Sequence, residues 1–159
     1  MSKNFSVVPM TLKESNEFVD EYHSHNKRVQ GYKFAIGAVH QDKLVGVAIC
    51  GRPISATLDN KRTIELLRSC VLDDAPKNTN SFLYGRSWRV AEAMGYEKMI
   101  TYTLVEEKGS ACKAIGMKIV GQTQDTTKAW KKKEERDGIK RQSQEIYRKP
   151  KYRWEKVIK

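Results

Sequence analysis

The segment from Thr63 to Leu104 constrains the fold more than any other. A β-like run, TIELLRSCVL, leads through the loop DDAPKNTN into a helical run, SFLYGRSWRVAEAMG, and a second β-like run, YEKMITYTL, follows. Two strands joined through a helix lie parallel in one sheet, with a right-handed crossover. In the first strand Ile64, Leu66 and Cys70 alternate only imperfectly with Glu65, Leu67 and Arg68, as expected of a strand covered on both faces. In the helix Leu83, Val90, Ala91 and Met94 share a face, and Gly95 stands where a left-handed residue would end it.

The strands before this unit read as antiparallel. FSVVP forms a short first strand, and Thr11 to Glu14 matches a capping box that opens a helix from Leu12 to about His25. KFAIGAVHQ and LVGVAICGRP follow as a hairpin joined at Asp42-Lys43. ISATLDNKR is a loop or a short helix. After the crossover unit, EEKGSACKAIGM gives a short helix ending at Gly116, and KIVGQT a further strand. The order is β-α-β-β-β-α-β-α-β, an α/β (α+β) chain with a mixed sheet. Such a sheet has a weak point where parallel pairing starts: strands diverge there, and a ligand can enter between them.

The loop before the crossover helix lacks the glycines common in phosphate-binding loops. The first-turn amides of the helix still lack intrahelical partners, and the helix dipole adds about half a positive charge. Lys77 adds a full one, and Asn78 and Asn80 tolerate left-handed angles that would let the amides curl round a diphosphate. The plainer alternative is that Asn80 or Ser81 only caps the helix.

A length of 159 residues suits one domain with one core. No stretch nears the ~18 apolar residues of a membrane span, and the N-terminus lacks the apolar run of a secretory signal. Cys50, Cys70 and Cys112 are odd in number and widely spaced, so they form neither a disulfide ladder nor a CxxC metal pair and read as reduced, buried cysteines of a cytoplasmic protein. His23 and His25, two apart, do not share a helix face, so they make no metal pair. The net charge is +11, and Thr127 to Lys159 carries 13 Lys or Arg against 5 Asp or Glu. Residues 1–126 are thus expected to form the folded domain and 127–159 a basic extension. A tail of this kind meets polyanions or only confers solubility. Lys131, Lys132, Lys133, Arg148 and Lys151 would track phosphates, and Trp154, with Tyr147 and Tyr152, would stack on bases.

From Phe5 to Thr123 the order of elements resembles the GNAT superfamily of acyl-CoA-dependent N-acyltransferases, with GSACKAIGM parallel to that fold's S-x-x-x-Y/x-x-x-G-F region. More specifically, the E-L-x-R strand, the P-K-N-x-x-S-F/W loop, the I-x-Y strand and the final KYRWE resemble a phage- and prophage-associated family related to Mom, which modifies adenine in DNA. The resemblance implies a GNAT-like fold with a basic C-terminal extension and acetyl-CoA or another acyl-CoA as cofactor. Val71, Leu72, Lys77, Asn78, Thr79, Asn80 and Ser81 would bind it in place of the usual Q/R-x-x-G-x-G/A loop. It further implies Glu65 as general base, Arg68 as a guide for an anionic group, and Tyr102 as proton donor to the departing thiolate. A tyrosine is missing from the short helix, so Tyr102 or Tyr84 would stand in, or the thiolate would take its proton from water. Mom-type proteins carry an aspartate soon after the I-x-Y tyrosine, where this chain has Leu104 and, later, Glu106 and Glu107.

Bland alternatives accompany each residue. Glu65 could pair with Arg68 or Arg52, although three positions along a strand point to opposite faces. Tyr102 could be plain core, and the histidines could be cations at a helix end. For the acceptor, three classes fit: an amine on a nucleic-acid base, flipped out if it lies in a duplex; a protein lysine or small amine; or none, in a degenerate fold that only binds. A host cytoplasm is the expected location if a phage encodes the chain.

Overall fold

The computed structural model describes residues 4–22, 29–123 and 149–158. Its elements are β1 (Phe5–Met10), α1 (Leu12–Tyr22), β2 (Phe34–His40), β3 (Lys43–Gly51), β4 (Thr63–Val71), α2 (Thr79–Ala93), β5 (Lys98–Leu104), α3 (Ser110–Ala114), β6 (Lys118–Gln122) and β7 (Lys151–Val157). One 3-10 turn, Ala56–Leu58, lies within the loop before β4. The expected order holds, with β7 added at its end. One sheet contains all seven strands in the order β1-β2-β3-β4-β5-β7-β6. Among the described residues only β4 and β5 pair in parallel; the other neighbours are antiparallel. Because β7 lies between β5 and β6, this part of the expected extension belongs to the sheet.

The start of α1 follows the capping box. The Thr11 N–H donates to Glu14 Oε1 at 2.9 Å and the Glu14 N–H to Thr11 Oγ1 at 3.0 Å. The helix buries Phe18 and Val19 against β2, β3 and β4, while His23 and His25 lie outside the described residues. Asn16 is buried with them, and its amide bonds both backbone groups of Val29: Nδ2 donates to the carbonyl at 3.0 Å, and Oδ1 accepts the N–H at 2.9 Å. Asn16→Ala leaves two polar groups unsatisfied and is expected to cost about 2 kcal/mol, read as a lower urea midpoint at unchanged slope.

The β2–β3 turn is Gln41-Asp42, one residue earlier than expected. Both residues are left-handed, at φ 50° and 63°, and a two-residue turn of that hand matches the twist of the flanking strands. Lys43 is therefore the first residue of β3. In α2 the buried face comprises Phe82, Leu83, Tyr84, Ser87, Trp88 and Ala91. It is broader than the expected stripe because the helix covers two clusters. Phe82 and Leu83 join the core over β2 and β3; Tyr84, Trp88 and Ala91 join a second one with Ile64, Met99, Cys112 and Trp154. Met94, expected in the stripe, is 51% exposed at the end of the helix. Gly95 follows in the left-handed region at φ 98°.

Candidate active site at the strand fork

The parallel pairing is brief. Thr63, Ile64 and Glu65 pair with Lys98, Met99 and Ile100. Thr101 Oγ1 then donates to the Leu66 carbonyl at 3.0 Å. Beyond that point β4 stays with β3 as far as Val71, while β5 follows β7 as far as Leu104. Part of the cause is a bulge: Ile49 pairs with Arg68 and Cys50 with Leu66, so Leu67 is the extra residue. A bulge bends its strand and strengthens the local twist. The result is a fork opening between residues 67–71 and 102–104.

The bulge also resets the faces. Arg68 pairs with Ile49 and Glu65 with Gly51, and positions 49 and 51 share a face. Glu65 and Arg68 therefore point the same way, contrary to the expectation for an unbroken strand. Arg52 is engaged elsewhere, with Nη2 at 2.8 Å from Asp59 Oδ2.

Glu65 is 4% exposed, and its Oε1 accepts the Ile54 N–H at 3.0 Å. Burial pushes its carboxyl up to about 7, against the lowering effects of Ile54, Arg68 and Lys151. A carboxylate so poised gains and loses a proton near neutrality. Tyr102 lies on the same face, two residues beyond Glu65's partner Ile100. Arg153 stands opposite it on β7, and its positive charge works against the rise of the phenol. Burial and then the Glu65 charge raise the Tyr102 phenol above its usual range, which keeps it protonated. Lys151, opposite Leu104, completes the group; burial and then Arg68 lower its ammonium. Tyr84 approaches the fork from the other face, from α2, where it is buried. Burial raises the Tyr84 phenol as well.

The β4–α2 loop differs in detail from its expected form. Asn78 is the N-cap at φ −97°, so it is not left-handed, and its side chain makes no capping bond. Among the described non-glycine residues only Gln41, Asp42 and Lys61 have positive φ. Neither Asn80 nor Ser81 caps the helix. The Asn80 side-chain oxygen instead accepts from the Ser69 hydroxyl, which ties α2 to β4. Thr79 is fully buried, and its N–H and hydroxyl both donate to the Pro76 carbonyl, at 3.1 and 2.7 Å. It therefore offers nothing to a phosphate. The Leu72 N–H is also spent, on the Val45 carbonyl at 2.9 Å, so by strand alternation it is the Val71 N–H that turns towards the fork.

The amides of Asn80 and Ser81 meet no backbone acceptor among the described residues. Ser81, Phe82, Gly85, Arg86 and Arg89 line an open hollow on α2, and Lys77 is exposed in the loop before the helix. Open amides, a hydroxyl and flanking cations at a helix start have the donor set a diphosphate needs.

Of the residues expected to touch nucleic acid, Lys131, Lys132, Lys133 and Arg148 lie outside the described residues. Lys151 stands at the fork. Trp154 is 3% exposed, and its indole N–H donates to Thr103 Oγ1 at 2.9 Å. It is a core residue and cannot stack on a base. Sequence reasoning missed Arg153. The signal was present in KYRWEKV, where charged residues at 151, 153 and 155 alternate with Tyr152 and Trp154. The three cysteines are buried as expected, and burial pushes their thiols up to about 12, 11 and 12 for Cys50, Cys70 and Cys112, which makes them poor nucleophiles. No described helix is long and apolar enough to cross a membrane.

Solved structures share this architecture along nearly the whole chain. An N-acetyltransferase of Staphylococcus aureus Mu50 superposes with a TM-score of 0.67 at 16% identity, covering 98% of this chain and 99% of that one. A GNAT family acetyltransferase of Elizabethkingia anophelis, with acetyl-CoA bound, gives 0.61 at 14%, covering 98% and 99%. An acetyltransferase of Bacillus subtilis in complex with CoA gives 0.60 at 15%, covering 98% of each. The fold is thus that of the GNAT acetyltransferases. No curated protein matches the chain. The Mom protein family matches residues 4–144, most of the sequence, and the chain belongs to that family.

Proposed function

We propose that this chain is an N-acyltransferase that moves an acyl group from an acyl-CoA to an amine on a nucleic-acid base. The observation that carries this reading is Glu65, a buried carboxyl held near 7 at the fork of a GNAT fold. Acyl-CoA fits the open amides of Asn80 and Ser81, the Ser81 hydroxyl, Lys77 and the Val71 N–H, and GNAT structures with CoA or acetyl-CoA bound support it. The thioester supplies an activated acyl carbon. Glu65 takes the proton that the attacking amine sheds, directly or through water. Tyr102, protonated and facing Arg153, donates towards the departing sulfur. Arg68 orients an anionic group with its planar fork of donors.

A base as acceptor is supported by membership in the Mom protein family and by the excess of eight positive charges within residues 127–159. In this reading residues 1–126 supply most of the transfer site, and Lys131, Lys132, Lys133 and Arg148 track phosphates. Buried, reduced cysteines suit a cytoplasmic setting, that of the host if a phage encodes the chain. Mass spectrometry of DNA and protein from expressing cells tests the proposal. It expects an added acyl mass on a nucleoside, absent with Glu65→Gln. Mass on protein lysines alone would overturn the base as acceptor, and no added mass anywhere would overturn transfer.

The role of the basic stretch has its own test. The Thr123 N–H donates to the Lys151 carbonyl at 2.7 Å, and the Lys151 N–H to Thr123 Oγ1 at 2.9 Å. The ends of the intervening segment are therefore held together by the sheet. Replacing residues 124–148 with a short Gly/Asn turn should keep the fold and remove four cations assigned to phosphate. Gel-shift affinity should fall, and the slope of log affinity on log salt should flatten by about 0.9 per lost contact on duplex DNA.

A further inference from the structure

The sheet face that carries Glu65 is lopsided in charge. α1 packs over β2, β3 and β4. Beyond it, among the described residues, Arg68 on β4 and Lys151 on β7 act on Glu65, and Arg153 follows on β7 on the same face, its guanidinium lying over Gly121 of β6, with Glu155 as a neighbouring anion. Glu155 already has a partner in Lys98, at 3.5 Å. Arg153 Nε lies 3.9 Å from Glu155 Oε2, too far for a hydrogen bond. It is a buried N–H group with no hydrogen-bond partner. A buried donor left open is costly, and a guanidinium on the face that carries Glu65 matches the geometry of a phosphate. An acceptor with a cationic amine, a lysine side chain or a polyamine, meets three positive charges before it reaches Glu65. An acceptor that brings a phosphate meets their complement.

We propose that Arg153, with Arg68 and Lys151, holds a phosphate of the nucleotide whose base amine is presented to Glu65, so that the fork itself selects anionic acceptors. This rests on the fork being the site of transfer, and it assigns acceptor recognition to the sheet as well as to the basic stretch. Arg153 is a specificity-determining residue that works beside the reacting atoms.

The test uses the full chain and a fluorescently labelled single-stranded DNA oligonucleotide, without acyl donor, across a salt series. Arg153→Gln is expected to weaken binding about tenfold and to lower the log–log salt slope by about 0.7, the loss of one phosphate contact. Arg153→Lys, which guards against a folding artefact, should keep the slope and regain part of the affinity. Wild-type affinity and slope in Arg153→Gln, or no binding by the wild type, would overturn the proposal. A second arm offers acetyl-CoA with dAMP, spermidine or a lysine peptide and follows thiol release. Turnover of the nucleotide alone supports the proposal, and a preference for the peptide or polyamine overturns it. Absence of turnover with every acceptor counts against the transferase, and the binding arm still decides the phosphate site.

Discussion

Glu65→Gln is expected to lower turnover at neutral pH by at least about a hundredfold, the lower end of what a general base contributes, and yet to make the protein more stable above pH 7. Both effects come from one carboxyl. Burial holds it at about 7 instead of its ordinary 4.5, so ionising it in the folded state costs about 3 kcal/mol relative to the unfolded chain. A carboxyl raised in this way stabilises the fold fully below about 4.5 and loses that contribution as pH climbs through about 7. Glutamine keeps the acceptor for the Ile54 N–H and never ionises. The variant should therefore melt about 6–10 °C higher than the wild type at pH 8, and the gap should close towards pH 4. Wild-type turnover should rise tenfold per pH unit below about 7 and level off above it. Scanning calorimetry at several pH values, with a pH–rate profile beside it, checks both. A gap independent of pH, or a variant that turns over normally, would remove Glu65 as the base.

Such a trade of stability for a poised proton is invisible in one-dimensional pattern, and the rest of the site divides along the same line. Local signals were legible. The Thr11–Glu14 box, the helices, Gly95 and the crossover all follow from spacing and residue type, because neighbours along the chain decide them. The fork was legible too, as a consequence of mixing parallel with antiparallel pairing. Features set by strands far apart in sequence were not. The bulge at Leu67 depends on register with β3, and without it Glu65 and Arg68 are assigned to opposite faces. Thr79 reads as a phosphate ligand until its hydroxyl is seen to be spent on Pro76. Most of all, β7 hides in a basic stretch. Its charged residues suggest solvent, yet they alternate, and the sheet turns Lys151 and Arg153 to the face that carries Glu65 while Trp154 enters the core.

Trp154→Ala is accordingly expected to destabilise the protein by about 3–5 kcal/mol, a large part of the roughly 5–15 kcal/mol that holds a domain of this size together. The indole lies among Met99, Ala111, Cys112 and Met117, bonded to Thr103, with the turn before α3 packed tightly on it. Gly109, left-handed at φ 64°, approaches so closely that a Cβ there would sit 2.4 Å from Trp154 Cζ2. Removing the ring opens a cavity between β7, β5 and α3 and leaves Thr103 without its donor. Because Lys151 and Arg153 are carried on the opposite face of the same strand, the fork should loosen with the core, and nucleotide binding should weaken in parallel with stability. Trp154→Phe refills most of the volume without the N–H and should cost about 1–2 kcal/mol. Urea unfolding followed by circular dichroism checks the order, with midpoints falling from wild type to Phe to Ala. A ring that stacks on bases at the surface gives the reverse: an unchanged midpoint for Trp154→Ala with DNA affinity lost. Deleting 127–159 as a whole removes β7 as well and should unfold the sheet, so only the replacement of 124–148 separates the basic stretch from the strand that completes the core.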